Sequence, residues 1–248
     1  MTFSRKLCCV ALASLATLLP ACGGGGGTSS ETAGITVNLQ ARVAAPVAAT
    51  VTNSEGVTIL LQHGYLVLWS MELQRTCTDP AFVSVPLRVL DWLVPRAEAH
   101  AESTPTKLGV PHVINVLGPG PTARVLGELR PAAGDYCGLT VELIRADDDA
   151  VDLPKDVAMV NRLVYLAGTW QNGEGAPTPF EITISKSAIP ARLLLRPALT
   201  LSSRNLHGET GVSIDPSRWF DGLDFNQLDT VTQQDLLLAN IRASMTAL

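Results

Sequence analysis

The side chains best suited to coordination or acid–base chemistry in this chain are its four histidines, His63, His100, His112 and His207, together with a few cysteines and two aspartate runs. Imidazole is a ligand for copper, zinc or nickel, and a thioether from Met71 or Met159 would add the soft sulfur that copper accepts. His100 and His112 flank part of a proline-rich stretch, so one restricted loop is expected to bring them together; a restricted loop loses less entropy on closing around an ion. His63 joins them as a third candidate ligand, and it shares a strand face with Tyr65 and Trp69 only if Gly64 does not bulge. The plainer account makes His63 a core or rim residue and the others solvated loop residues. Asp147, Asp148, Asp149 and Asp152 form one acidic run and Asp215, Asp221 and Asp224 another. Neither has the D-x-[DN]-x-[DN]-G spacing that wraps calcium. The first reads as a solvated turn, while the second is interleaved with Trp219 and Phe220.

Enzyme signatures do not occur. The chain has no GxSxG, no HExxH, no GxxxxGK[ST] and no GxGxxG following a strand. A binding or structural protein is therefore expected rather than an enzyme.

The elements that must position these side chains read as strands. Ile35 to Val43 alternates apolar and polar residues, the pattern of a strand with one wet face, and is expected to start a sheet. Val57 to Gln74 continues the pattern with Ile59, Leu61, Tyr65, Val67, Trp69, Met71 and Leu73 on one parity, and Gly64 marks a bulge or break. Further strands are expected over Ala123 to Leu129, Tyr136 to Ala146, Arg162 to Trp170, Phe180 to Lys186 and Arg192 to Leu201. Turn chemistry separates them at Pro131 to Asp135 and at Asn172 to Gly175. Between Cys77 and Pro121 the prolines are dense enough to remove ladder donors and favour irregular structure. Near the end, Thr232 and Asp235 stand in capping-box spacing ahead of Leu237, Ile241, Met245 and Leu248, which predicts a helix. The fold class is all-β: an antiparallel β-sandwich with a long Pro-rich insertion and a C-terminal helix, forming one domain over residues 35–248.

The first residues place this domain in a compartment. Arg5 and Lys6 precede an apolar run from Leu7 to Leu19, which is the layout of a secretory signal peptide and too short for a permanent span. Leu19-Pro20-Ala21-Cys22 resembles the lipobox of bacterial lipoproteins, with Pro20 a departure from the pattern. Residues 1–21 are thus expected to be cleaved and Cys22 lipidated. Residues 22–34, rich in glycine, serine and threonine, would serve as a tether. Gly23 after the cysteine resembles lipoproteins sorted to the outer membrane, with the body facing the periplasm.

Of five cysteines, Cys8 and Cys9 leave with the leader and Cys22 takes the lipid. Cys77 and Cys137 remain, and outside the cytoplasm a pair most simply forms a disulfide. Closing that loop of about 60 residues stabilises the fold by roughly 4 kcal/mol in the chain-entropy picture. The formal net charge of −5 becomes about −7 once Arg5 and Lys6 are removed, which argues against nucleic acid as a partner.

Four stretches together carry a family resemblance: Ala99-His100-Ala101-Glu102, Gly134-Asp135-Tyr136, Trp219-Phe220-Asp221-Gly222-Leu223-Asp224 and the final Asn240-Ile241. With the lipoprotein-like leader and strand-rich body, they resemble the MbnP-like copper-associated periplasmic proteins. The resemblance implies copper as the cofactor and, as partner, an envelope protein such as the dihaem enzyme that oxidises a tryptophan. The competing expectation is a structural or partner-binding envelope lipoprotein without a metal.

Overall fold

Period-two alternation of apolar side chains accounts for most of the architecture in the computed structural model, which describes residues 34–44, 50–77, 102–118 and 122–248. The leader, Cys22, the tether up to residue 33, His100 and residues 78–101 of the Pro-rich insertion lie outside the described residues. The chain forms β1 (Thr36–Val43), β2 (Thr50–Thr52), β3 (Val57–Leu68), β4 (Ser70–Gln74), β5 (Lys107–Leu108), β6 (His112–Asn115) and β7 (Arg124–Leu129). It continues through β8 (Gly134–Glu142), β9 (Val164–Asn172), β10 (Thr178–Ile184), β11 (Ala191–Leu201) and β12 (His207–Ile214). The helix α1 (Val231–Ala243) and the short β13 (Met245–Ala247) close it.

These strands make three sheets, in the orders β13-β12-β1-β7, β10-β9-β3-β2 and β11-β8-β4-β5, with β6 pairing the far end of β3. All pairings are antiparallel except β1 with β12. β11 lies beside β12 and β13, and β5 beside β7. The first and third sheets are therefore the two leaves of a sandwich that meet along both margins. The third sheet is joined to the second through Trp69, where one long apolar run leaves β3 and becomes β4. Trp69 N donates to Glu142 O at 2.9 Å as the chain changes sheets.

β1 alternates as its sequence requires, with Ile35, Val37, Leu39, Ala41 and Val43 buried. It lies in the interior of its sheet, however, between β12 and β7, so its polar face is half-buried rather than wet. β12 has no counterpart among the strands expected from sequence. Gly208 and Gly211 interrupt it, and Thr210 to Ile214 are buried without alternation, the signature of a strand covered on both faces. Gly211 is required there, because a Cβ would lie 1.9 Å from Gln40 O of β1.

The helix begins two residues earlier than its sequence suggests. Thr230, not Thr232, is the N-cap, and its hydroxyl accepts from Gln233 N. Asp235 instead pairs with Lys186. Leu237, Leu238 and Ile241 bury the apolar stripe, while Met245, expected on the helix, fills the core from β13. Ahead of the helix, Trp219 and Phe220 are fully buried. Phe180, Phe220 and Phe225 stack edge-on and face-on, with Trp170 over Phe225 at 5.2 Å between centroids.

Cys77, just past β4, is disulfide-bonded to Cys137 of β8 with Cα atoms 5.8 Å apart. The bond joins neighbouring strands, since Gln74 of β4 pairs with Gly138 of β8. No helix among the described residues is long and apolar enough to cross a membrane.

Candidate functional site

His63 owes its position to an irregularity in β3. The register against β9 shifts between Leu61 and His63, so one extra residue, Gln62, is accommodated as a bulge, a device that re-aims the side chains beside it. The bulge falls before Gly64, and His63 and Tyr65 stay in step opposite Ala167 and Tyr165. Gly64 serves close approach instead, for a Cβ there would meet Val116 Cγ2 at 2.5 Å.

With 40% of its side chain exposed, His63 places Nδ1 3.2 Å from Asp156 Oδ2. Tyr65 Oη donates to the same carboxylate, 3.2 Å from Oδ1. A carboxylate is acceptor-only, so Asp156 fixes the tautomer with the proton on Nδ1 and leaves the Nε2 lone pair open. Burial, and then the charge of Asp156, push the Tyr65 hydroxyl above its usual range, which keeps it a donor. This carboxylate–imidazole pair is the arrangement that orients metal-ligating histidines. Tyr165 lies alongside, its ring centroid 6.4 Å from that of His63, and the Arg162 guanidinium carbon sits 5.2 Å from the Tyr165 centroid.

His112 is in a different environment. It begins β6 opposite Leu68 of β3 and is only 5% exposed. Arg124 Nη2 approaches its Nδ1 at 3.5 Å, and Arg124 is itself ion-paired with Asp152. A guanidinium only donates, so Nδ1 must accept and Nε2 carry the proton. That Nε2 is buried with no hydrogen-bond partner among the described residues. Burial first, and the Arg124 charge second, hold the imidazole below its ordinary pKa against the opposing pull of Asp152. The ring is thus held neutral, the form that ligates, while the Arg124 guanidinium beside Nδ1 is unfavourable to a second cation on that side.

The described histidines occupy separate places. His63 lies five residues before Leu68 on β3, which puts it about 17 Å from the His112 position at ~3.4 Å per residue. His207 starts β12 and bonds Thr36 Oγ1 through Nδ1 at 2.9 Å. Met71 and Met159 are in the core, each 1% exposed. Among the described residues no group of three or more His, Cys, Asp or Glu side chains is placed to hold a metal ion. The pairing expected of His100 with His112 falls on a residue outside the described ones.

The second acidic run is spent on backbone and side-chain donors, two of its members locally and Asp221 across to the turn after β2. Asp215 accepts from Ser217 N, Asp221 from Ser54 N, and Asp224 from Asn226 N and Gln227 Nε2. A separate cavity of about 440 Å³ opens over β4, β8 and β11, with Glu72, Thr140, Arg192 and Cys77 among its walls.

Asp156 and Arg124, the residues that decide what His63 and His112 can do, carry no sequence signal. Asp156 is 91 positions from Tyr65 and lies in a polar loop like many others. No family model matches the chain, and neither a search of curated proteins nor one of solved structures finds a match.

Proposed function

We propose that the protein is a lipid-anchored envelope protein, tethered through Cys22 to the outer membrane, whose body faces the periplasm and binds copper with His63 as a ligand. The observation that carries this reading is the Asp156-oriented imidazole, which leaves Nε2 open at a half-exposed position. The Cys77–Cys137 disulfide is in keeping with an oxidising compartment. The resemblance to MbnP-like proteins supports copper as the metal and a dihaem enzyme as partner. His112 contributes structurally in this reading, because Arg124 occupies the space beside its Nδ1. Metal analysis of protein purified from its own envelope, followed by electron paramagnetic resonance during copper(II) titration, tests the proposal. Imidazole coupling that disappears in His63→Gln and survives in His112→Leu supports it. A His100→Ala variant, run in parallel, reads whether that residue adds a ligand. Copper bound equally well by wild type and His63→Gln removes His63 from the site.

A second reading is favoured by the separation of His63, His112 and His207 on different strands: a partner-binding envelope lipoprotein without a metal. No copper or zinc affinity in the wild-type protein would select it.

A further inference from the structure

The cavity over β4, β8 and β11 lies on the third sheet, apart from His63 on the second. The register sets Arg192 of β11 and Glu72 of β4 on either side of Thr140 of β8, and all three line the cavity. One step along, Leu194 and Gln74 flank Gly138 in the same way. Gly138 keeps the floor low there, since a Cβ would lie 3.1 Å from Cys77 Sγ. One end of the cavity thus carries a charge on each side, and the other is walled by Leu194 and Cys77.

The charges on this face are not all spent. Lys107, opposite Glu72 in register, sends its ammonium instead to Glu142 at 3.1 Å, where Ser70 also donates. Glu72 and Arg192 make no side-chain hydrogen bond or ion pair among the described residues, and neither do Thr140 and Gln74. One anion and one cation are left over, which suits a ligand that bears both charges and no net one. Strand side chains stand roughly perpendicular to the sheet. At about 4.8 Å per strand, Glu72 and Arg192 are therefore about 10 Å apart across β8. A charge-assisted bond of about 2.8 Å at each end leaves about 4 Å between the ligand's own charges. The ammonium and carboxylate on one α-carbon span that distance, and the ends of an extended peptide overshoot it.

We infer that this cavity is a binding site for a free α-amino acid with an apolar side chain. Arg192 takes the α-carboxylate, Glu72 takes the α-ammonium, and the apolar side chain lies over Gly138 against Leu194 and the Cys77–Cys137 disulfide. The Thr140 hydroxyl, between the two charges, donates to the carboxylate. A volume of about 440 Å³ falls within the ~300–1,000 Å³ of small-molecule sites. No metal takes part in this binding, and His63 has no role in it.

L-Leucine is the probe, compared with isocaproate, which lacks its ammonium, and isoamylamine, which lacks its carboxylate. The full-length protein is titrated with each by calorimetry in metal-free buffer. Leucine is expected to bind wild type, and each analogue to bind at least about tenfold more weakly, the effect of losing one charge-assisted hydrogen bond. Arg192→Gln is expected to weaken leucine about tenfold and to bind leucine and isoamylamine alike, as one charge-assisted bond is gone. Glu72→Gln is expected to bind leucine and isocaproate alike. His63→Gln is expected to bind leucine as wild type does. Arg192 is exposed and Glu72 half-buried, so both variants should unfold at the wild-type temperature. No leucine binding by wild type overturns the inference, whether or not the protein binds copper. Equal leucine affinity in wild type, Arg192→Gln and Glu72→Gln also overturns it. Isocaproate bound by wild type as tightly as leucine does the same, because it marks a pocket that reads only the apolar side chain.

Discussion

Two histidines on neighbouring strands show how far a single partner decides what an imidazole does. Asp156 accepts from His63 and frees its Nε2; Arg124 donates toward His112 and leaves its Nε2 buried without a partner among the described residues. Removing the orienting charge while keeping the shape isolates the first effect. On the proposed copper reading, Asp156→Asn is expected to lower copper affinity about 10–100-fold, the usual cost of losing a residue that orients a ligand, and calorimetric titration checks it. For His112 the consequence is acid sensitivity. Its folded pKa lies below the ordinary value, so as pH falls from about 6.5 toward that lower value the unfolded chain takes up a proton that the folded protein refuses. Stability contributed by the neutral ring is complete above about pH 6.5 and is lost below it. His112→Leu, which replaces a buried donor that has no partner among the described residues with an apolar group, is expected to cost little at pH 7 and to flatten this loss. Denaturant unfolding of both proteins between pH 7 and pH 5 would reveal it, and parallel pH profiles would contradict it.

Among the elements, the strands with one buried face could be read directly. β1 and β10 show the alternation that one core imposes, with Phe180, Ile182 and Ile184 inward as expected. β12 could not be found this way, because a strand buried on both faces keeps no alternation, and its glycines answer to close approach rather than to a turn, Gly211 to β1 and Gly208 to Leu199 of β11. The helix was visible in its apolar spacing, but its start was not. The sequence reading puts the cap at Thr232, whereas it is Thr230 that has the extended backbone that lets its hydroxyl reach Gln233 N. Thr230→Ala is therefore expected to cost about 0.5–2 kcal/mol. Thr232→Ala, inside the first turn, should fall within roughly 0.5 kcal/mol of wild type. Paired chemical denaturation measurements distinguish the two assignments. The candidate site was half legible for the same reason: His63 could be named from its type and parity, while Asp156 reaches it only because the loop before β9 folds over β3.

At the scale of the whole molecule, the Cys77–Cys137 bond spans 60 residues of sequence yet joins adjacent strands. It brackets the Pro-rich insertion, returning its start to the sheet that β5 completes at its end. The anchor is a separate matter and has its own test. Cys22→Ser is expected to move the protein from the membrane fraction to the soluble fraction of the envelope, and mass spectrometry of the wild-type N-terminus should show an acylated Cys22. An unmodified N-terminus at or beyond that residue would rule the anchor out.

The position of β1 within its sheet also governs how the body bears a mechanical load. Residue 34 leads directly into β1, which is flanked by β12 on one side and β7 on the other. An edge strand pulled from one end peels away, breaking its ladder bonds in succession. A mid-sheet strand drawn along its own axis must slip past both neighbours together, so all of its ladder bonds share the force in shear. Under the proposed anchoring through Cys22, drag on the body would enter through Thr36. β1 is thus seated where the sheet resists being pulled apart, rather than where it would unzip.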